Sequence, residues 1–191
     1  TALGVFWGIF MLTVLLGAGM GLGRLFRAQL GETSTNTVLM NTGRTSIPYK
    51  GMPTGRAWNL ENDDVEAVKK LPEVKYATGM VWANQFYASH GDRKGEYYVM
   101  GHMPDYQKIN PEKLIYGRYI NDLDMERKRK VCLIGTQIWK DLFPGGEDPT
   151  GKTILLQGSQ FTVVGVLKRQ SNMMTFSDVE RTIILPATLV Q

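Results

Sequence analysis

Residues 2–23 read ALGVFWGIFMLTVLLGAGMGLG and contain no charged side chain. As an α-helix this run measures about 33 Å, which is enough to cross the roughly 30 Å hydrocarbon core of a membrane. The rest of the chain mixes apolar and charged residues in the proportions of a soluble domain. The sequence therefore predicts one transmembrane helix that leads into a folded domain.

Two other interpretations of this run are less favourable. A secretory signal peptide has a shorter apolar region, of about 7–15 residues, and ends in a small-residue cleavage site. Here the run continues to Gly23 and meets Arg24 and Arg27, with no such site. A buried core helix rarely runs this far without a charge. Two arginines on one flank do not assign the direction of the helix.

Small residues recur along one part of the run. Gly17, Gly19, Gly21 and Gly23 form G-x-x-x-G pairs, a spacing that lets a second membrane helix approach closely. Glycine is also common in membrane helices for no specific reason. Both interpretations stay open, and the four glycines are the candidate helix-packing face.

Composition limits the function classes. The chain has 43% hydrophobic and 21% charged residues and a net charge of +4, so it fits one ordinary domain, or two small ones, after the helix. This charge is too mild to predict nucleic-acid binding. Cys132 is the only cysteine and lies in the apolar run VCLIG, which indicates a buried hydrophobe rather than a nucleophile.

The first part of the domain predicts a β-α-β unit. Residues 37–41 and 74–89 have strand composition, and residues 60–71 have helical periodicity. Either Asn59 or Asn62 can cap that helix.

The second part predicts a strand-rich arrangement with short helices, an α+β pattern. The first hairpin returns through a turn over 90–95, and the later strands are separated by one short helix. The predicted elements are strands at 96–102, 131–135, 153–156, 161–167 and 182–185, and a helix at 136–143.

Residues 146–153, GEDPTGKT, match the phosphate-loop pattern G-x4-G-K-T. A phosphate loop follows a buried strand and opens a helix, whereas this segment follows a short helix and precedes a strand. Glu147 and Asp148 would also repel an anionic ligand. We therefore predict a turn and no nucleotide site.

No set of residues predicts catalysis or metal binding. His90 and His102 are the only histidines, and neither stands at metal-ligand spacing. No nucleophile turn of the G-x-S-x-G type occurs. We therefore expect a chain that is not an enzyme, with no catalytic, metal-binding or cofactor-binding residue.

Residues 127–130, RKRK, form a basic run. It lacks interleaved aromatic residues and stands beside Asp122, Asp124 and Glu126, which favours a solvated loop over a lipid or nucleic-acid contact.

Two loops are candidates for partner binding. Residues 42–59 form a long segment without periodicity, whose role the sequence does not define. Residues 170–178 carry Met173, Met174 and Phe176, which can either form an adaptable contact surface or fold back onto the core.

In their order along the chain, these segments resemble the periplasmic core domain of MacB-like ABC transporter permeases, which are related to the FtsX and LolCE types. The resemblance covers essentially the whole chain. It is carried by the membrane run ending in GAGMGLG, the turn Tyr116-Gly117-Arg118, the strand end Ile134-Gly135, residues 142–152 and residues 161–167.

The resemblance implies an architecture. Residues 1–30 would be the first transmembrane helix and its stalk, and 31–84 the first half of a porter-like β-α-β part. Residues 85–186 would be a strand-rich, sabre-like part. Residues 187–191 would return toward a second porter half, which with three more membrane helices would lie beyond this sequence.

The resemblance also implies a function. The permease would lie in the bacterial inner membrane with its domain in the periplasm, as a homodimer or beside a related permease. It would couple ATP hydrolysis to export or efflux by mechanotransmission. ATP and Mg²⁺ would bind a separate cytoplasmic ATPase. Further partners would be a membrane-fusion adaptor protein, a TolC-like outer-membrane channel and membrane lipid.

Three alternatives remain open. A LolCE-like permease would release lipoproteins, with residues 42–59 as its partner-binding loop. An FtsX-like regulator would activate a cell-wall hydrolase through Met173–Phe176. A membrane-anchored enzyme is disfavoured because no nucleophile or metal pattern is present.

Overall fold

The computed structural model describes residues 2–30, 37–169 and 178–190. One long helix precedes a mixed region dominated by a single sheet. The helices are α1 (Ala2–Leu30), α2 (Asn62–Lys69), α3 (Tyr106–Ile109), α4 (Asp122–Glu126) and α5 (Thr136–Leu142), with 3-10 turns at Val179–Arg181 and Ala187–Leu189. The strands are β1 (Met80–His90), β2 (Arg93–His102), β3 (Lys113–Gly117), β4 (Val131–Gly135), β5 (Thr153–Leu156), β6 (Ser159–Lys168) and β7 (Thr182–Pro186).

The seven strands form one sheet that closes on itself. Around the ring the order is β1-β2-β7-β4-β6-β5, and β5 returns to β1 through the pairs Ala88–Leu156 and Ser89–Leu155. β3 lies outside the ring, beside the second half of β6. The β2–β7 and β4–β6 pairs are parallel and the other pairs are antiparallel.

The core lies on both faces of the central strands. All five residues of β4 are buried, as its uniformly apolar sequence predicts. One cluster joins Cys132 and Ile134 to Ile138 and Leu142 of α5. A second cluster, on the opposite face, joins Val131 and Leu133 to residues that include Ile120, Val164, Leu167, Val179 and Ile184.

The prediction of a strand at 37–41 is wrong. These residues have no regular secondary structure, and Val38 and Met40 are 83% and 61% exposed. A strand needs a neighbour that takes its backbone hydrogen bonds, and no strand lies beside this segment in the described parts of the chain. Between 42 and 60 the only β contacts are the isolated bridges Arg44–Ala57 and Tyr49–Met52.

The predicted β-α-β unit consequently does not form among the described residues. The strand predicted from residue 74 begins at Met80, and it belongs to the closed sheet through β2 and β5. The proposed boundary between residues 84 and 85 falls inside β1. The division into porter-like and sabre-like parts stays a prediction.

The predicted helix at 60–71 forms but is shorter, over Asn62–Lys69. Neither asparagine caps it. Glu61 is the N-cap, and its backbone N–H donates to the Asp64 carboxylate at 2.8 Å. The helix at 136–143 and the later strands are confirmed, and no end differs by more than three residues, the normal uncertainty of boundaries predicted from sequence.

Candidate functional site

α1 is the part of the structure suited to a membrane. Residues Ala2–Leu22 are long and apolar enough to span one, and no other helix in the described parts of the chain qualifies. Every side chain described in this span is exposed. An apolar helix without protein cover needs an apolar surrounding.

The glycine pattern of α1 faces open space. A Cβ atom added at Gly17, Gly19 or Gly21 would meet no atom within 4 Å. None of the described residues therefore occupies the predicted packing face at these three positions. Packing of Gly17, Gly19, Gly21 and Gly23 against another membrane helix stays a prediction.

The phosphate-loop match is a turn between α5 and β5, as predicted. Three of its backbone N–H groups already have acceptors inside the domain. Thr150 donates to Asp148 Oδ1 at 2.9 Å, Gly151 to the Val163 carbonyl at 2.8 Å and Lys152 to the Pro149 carbonyl at 3.0 Å. The Lys152 ammonium pairs with the Glu147 carboxylate. The N–H groups of Thr150, Gly151 and Lys152 are therefore not free to bind a phosphate.

Residues 127–130 form a turn and an irregular segment in which Arg129 alone is half-buried and the others are exposed, which confirms the predicted solvated loop. The acids beside this run lie in a different environment. Asp122–Glu126 is the short helix α4, and the Asp124 side chain is fully buried. Arg118 binds the Asp124 carboxylate at 2.6 and 3.1 Å, and Arg129 approaches it to 3.6 Å. Desolvation opposes ionisation of Asp124, but these bonds to Arg118 and the Asn121 backbone hold its pKa below the usual value.

A local signal for α4 was present in the sequence. Asn121 accepts a hydrogen bond from the Asp124 backbone N–H at 3.0 Å, and the Asp124 carboxylate accepts one from the Asn121 backbone N–H at 3.1 Å. This reciprocal pattern is a capping box, which an Asn-x-x-Asp spacing encodes. The burial of Asp124 has no such local signal, because Arg118 approaches it from the end of β3.

The two histidines occupy separate environments. His90 Nδ1 lies 2.7 Å from the Thr153 carbonyl oxygen, and its ring packs on Phe143 with 4.3 Å between ring centroids. His102 is 6% exposed and stacks on Tyr106 at 3.8 Å. Burial lowers the pKa of His102 to about 3, so its imidazole is neutral.

In the described parts of the chain, no group of three or more His, Cys, Asp or Glu side chains is arranged to hold a metal ion. Cys132 is fully buried, as predicted, and burial raises the pKa of its thiol. The predicted contact residues Met173, Met174 and Phe176 lie outside the described residues.

Comparison with solved structures identifies the fold. The periplasmic region of MacB from Actinobacillus actinomycetemcomitans aligns with a TM-score of 0.60 and 20% identity, over 77% of this chain and 64% of that one. The extracellular domain of YknZ, a noncanonic ABC-type transporter from Gram-positive bacteria, aligns with a TM-score of 0.58 and 19% identity, over 69% and 64%.

Sequence relatives extend the likeness to the membrane helix. The pyoverdine export ATP-binding/permease protein PvdT of Pseudomonas aeruginosa is 28% identical over 97% of this chain. The macrolide export ATP-binding/permease protein MacB of Rhodospirillum rubrum is 24% identical over 98%. This chain spans 27% and 28% of the lengths of these two relatives.

The family model for the MacB-like periplasmic core domain matches residues 1–191, which include both α1 and the closed sheet. On this match, the chain belongs to the MacB-like periplasmic core domain family.

Proposed function

We propose that this chain is the N-terminal part of an ABC permease that exports a substrate across the cell envelope. Residues 2–22 would cross the inner membrane, and the closed sheet would lie in the periplasm. ATP would be hydrolysed by a separate cytoplasmic ATPase domain or subunit. The names of the sequence relatives, which are export ATP-binding/permease proteins, support this assignment.

The observation that carries the proposed coupling is the continuity of α1. The helix has 29 residues, whereas its membrane-spanning part has 21. The whole helix is about 44 Å long, and residues 23–30 extend it by about 12 Å past the span. A continuous helix transmits a displacement along its axis, because its backbone hydrogen bonds keep the turns at fixed spacing. Motion at the membrane would thus reach the periplasmic domain.

The proposed assembly follows the family resemblance. Two copies, or this chain and a related permease, would pack through the glycine face of α1. A membrane-fusion adaptor and a TolC-like outer-membrane channel would continue the export route beyond the inner membrane.

The test uses the complete permease with its ATPase in liposomes. Gln29→Pro interrupts the helix beyond the membrane span, since proline removes a backbone donor and clashes with the preceding turn. Gln29→Ala removes the same side chain and keeps the helix. Pyoverdine and a macrolide, the two cargoes in the relatives' names, serve as the first transport substrates.

We expect Gln29→Pro to hydrolyse ATP but to lose at least about tenfold in transport, while Gln29→Ala keeps both activities. Gel filtration and protease digestion verify that both variants insert and fold. Wild-type transport by a folded Gln29→Pro protein would contradict coupling through α1. ATP hydrolysis without transport in the wild type, together with stimulation of a cell-wall hydrolase, would favour the regulator alternative.

A further inference from the structure

A small cavity of about 20 Å³ lies between β2, α3 and the segment after β3. Its wall includes His102 from β2, Tyr106 from α3, and Glu112 and Tyr119 from the segments flanking β3. Leu133 and Leu167 close it from the sheet. The volume exceeds the roughly 10–15 Å³ that one water molecule requires.

Two buried polar side chains in this wall each have an atom without a hydrogen-bond partner among the described residues. They are His102 at its Nε2 atom and Glu112 at its Oε1 atom, and the two residues are only 6% and 7% exposed. Buried polar atoms in folded proteins are normally paired, because an unpaired one forfeits its hydration. Two such atoms on one water-sized cavity indicate that the cavity has an occupant.

The side chains around the cavity determine which ionisation state of Glu112 is favoured. No lysine or arginine among the described residues lines it, and its other described titratable groups are His102, Tyr106 and Tyr119. The Tyr119 hydroxyl donates to the Glu112 backbone carbonyl, and the Tyr106 hydroxyl accepts from Asn110 Nδ2 at 3.1 Å. An ionised Glu112 would therefore face no cation from the described parts of the chain. Burial accordingly raises the pKa of Glu112 to about 7.

We propose that this cavity is a proton-binding site. In it, the protonated Glu112 carboxyl and an ordered water molecule form hydrogen bonds with each other and with His102. The proton comes from solvent and returns to it. When Glu112 loses the proton, its carboxylate requires more water than the cavity holds, and the segment 103–112 loosens to admit it.

The segment that would respond also connects the sheet to α2. Asp105 lies at its start and pairs with Lys69 of α2 at 3.5 Å and with Lys108 at 2.8 Å. The Met103 side chain lies next to Gly79, just before β1. Loosening of 103–112 would thus release contacts between the sheet and the region that precedes it.

The first measurement is amide hydrogen exchange of the full chain in detergent, corrected for the intrinsic pH dependence of exchange. The Glu112 carboxyl has a pKa of about 7 in the closed state, and in the open state its pKa falls to the usual value of about 4.5. Raising the pH from about 5.5 to about 8.5 therefore makes opening of this segment about thirtyfold more favourable. We expect this change in 103–112 of the wild type. Glu112→Gln removes the ionisable group and should abolish it.

Glu96→Gln is the matched control, because it makes the same chemical change at an exposed position of β2 and should keep the thirtyfold effect. A second measurement needs no variant. In wild-type protein with isotope-labelled glutamate, infrared spectroscopy should detect one protonated carboxyl at about pH 5.5 that ionises near pH 7. Absence of that band above about pH 6, or a thirtyfold effect that survives in Glu112→Gln, would overturn the proposal.

Discussion

The sheet and the N-terminal region use apolar residues in opposite ways. In β4 every side chain is buried, whereas every described side chain of residues 2–22 is exposed. Between 37 and 60, Thr45 alone is half-buried and the rest are exposed. The sheet covers its own apolar surface, so its stability depends on contacts within the chain. The N-terminal region depends on what surrounds it, which for α1 is the membrane.

The sharpest test of this contrast makes the same substitution in both regions. At Gly135 an added Cβ atom would overlap the backbone carbonyl oxygens of Val179 and Glu180, whereas at Gly19 it would meet nothing within 4 Å. We expect Gly135→Ala to lower the free energy of unfolding by about 3–5 kcal/mol, and Gly19→Ala to change it by less than about 1 kcal/mol.

Denaturant unfolding of the full chain in detergent micelles, followed by tryptophan fluorescence, measures both values. Equal effects of the two substitutions would contradict the contrast between the sheet and α1. Loss of dimer formation in Gly19→Ala with an unchanged free energy of unfolding would support the contrast, since that glycine would then act between chains.

A smaller effect is expected at the buried ion pair of the sheet region. Asp124→Asn leaves the Arg118 guanidinium without its bidentate partner, and we expect a loss of about 2–4 kcal/mol in unfolding free energy. Arg118 is 43% exposed, so water recovers part of the cost. Asp122→Asn alters an exposed acid of the same helix and should change stability by less than about 0.5 kcal/mol. Equal unfolding midpoints for the two variants would contradict a structural role for Asp124.

The same carboxylate predicts a response to acid. The pKa of Asp124 is lower in the folded protein than its usual value of 3.8, so its contribution is complete well above pH 3.8. The contribution is lost as the pH falls below that value, because the unfolded chain then binds the proton first. Thermal unfolding between about pH 5 and pH 2 should show a steeper loss in wild type than in Asp124→Asn. Parallel pH curves would exclude this contribution.

The smallest effect is expected at the phosphate-loop match. Lys152→Ala removes only a partly exposed ion pair with Glu147 and should cost less than about 1 kcal/mol. Calorimetry with ATP and Mg²⁺ should detect no binding to this chain, with or without the substitution. Micromolar binding that disappears in Lys152→Ala would show that the turn rearranges into a nucleotide site.

Sequence reasoning succeeded where one local pattern was sufficient. The uncharged run at 2–23 predicted α1, and the uniformly apolar VCLIG predicted the buried β4. It failed at 37–41, whose composition is that of a strand but which has no neighbouring strand in the described parts of the chain. Strand composition gives a segment a preference for the extended conformation. The backbone hydrogen bonds that stabilise a strand come from a neighbouring strand, which the segment's own sequence does not specify.

The candidate sites divide in the same way. The glycine spacing of α1 is visible in the sequence alone, and its role in helix packing stays a prediction. The cavity at Glu112 is not visible there, because Glu112 is an isolated acid between Pro111 and Lys113 without any motif. Its environment is created by His102 and Tyr106 from before β3 and by Leu167 from β6.

By itself, the sequence determined the membrane helix, the positions of most later strands and the turn at the phosphate-loop match, since each depends on neighbouring residues along the chain. The tertiary structure alone decided that the sheet closes through β5 and β1, that Asp124 is buried against Arg118, and that Glu112 shares a cavity with His102. These features join residues that are far apart in the sequence. The local hydrophobic periodicity of a segment does not specify which distant strand or side chain will contact it.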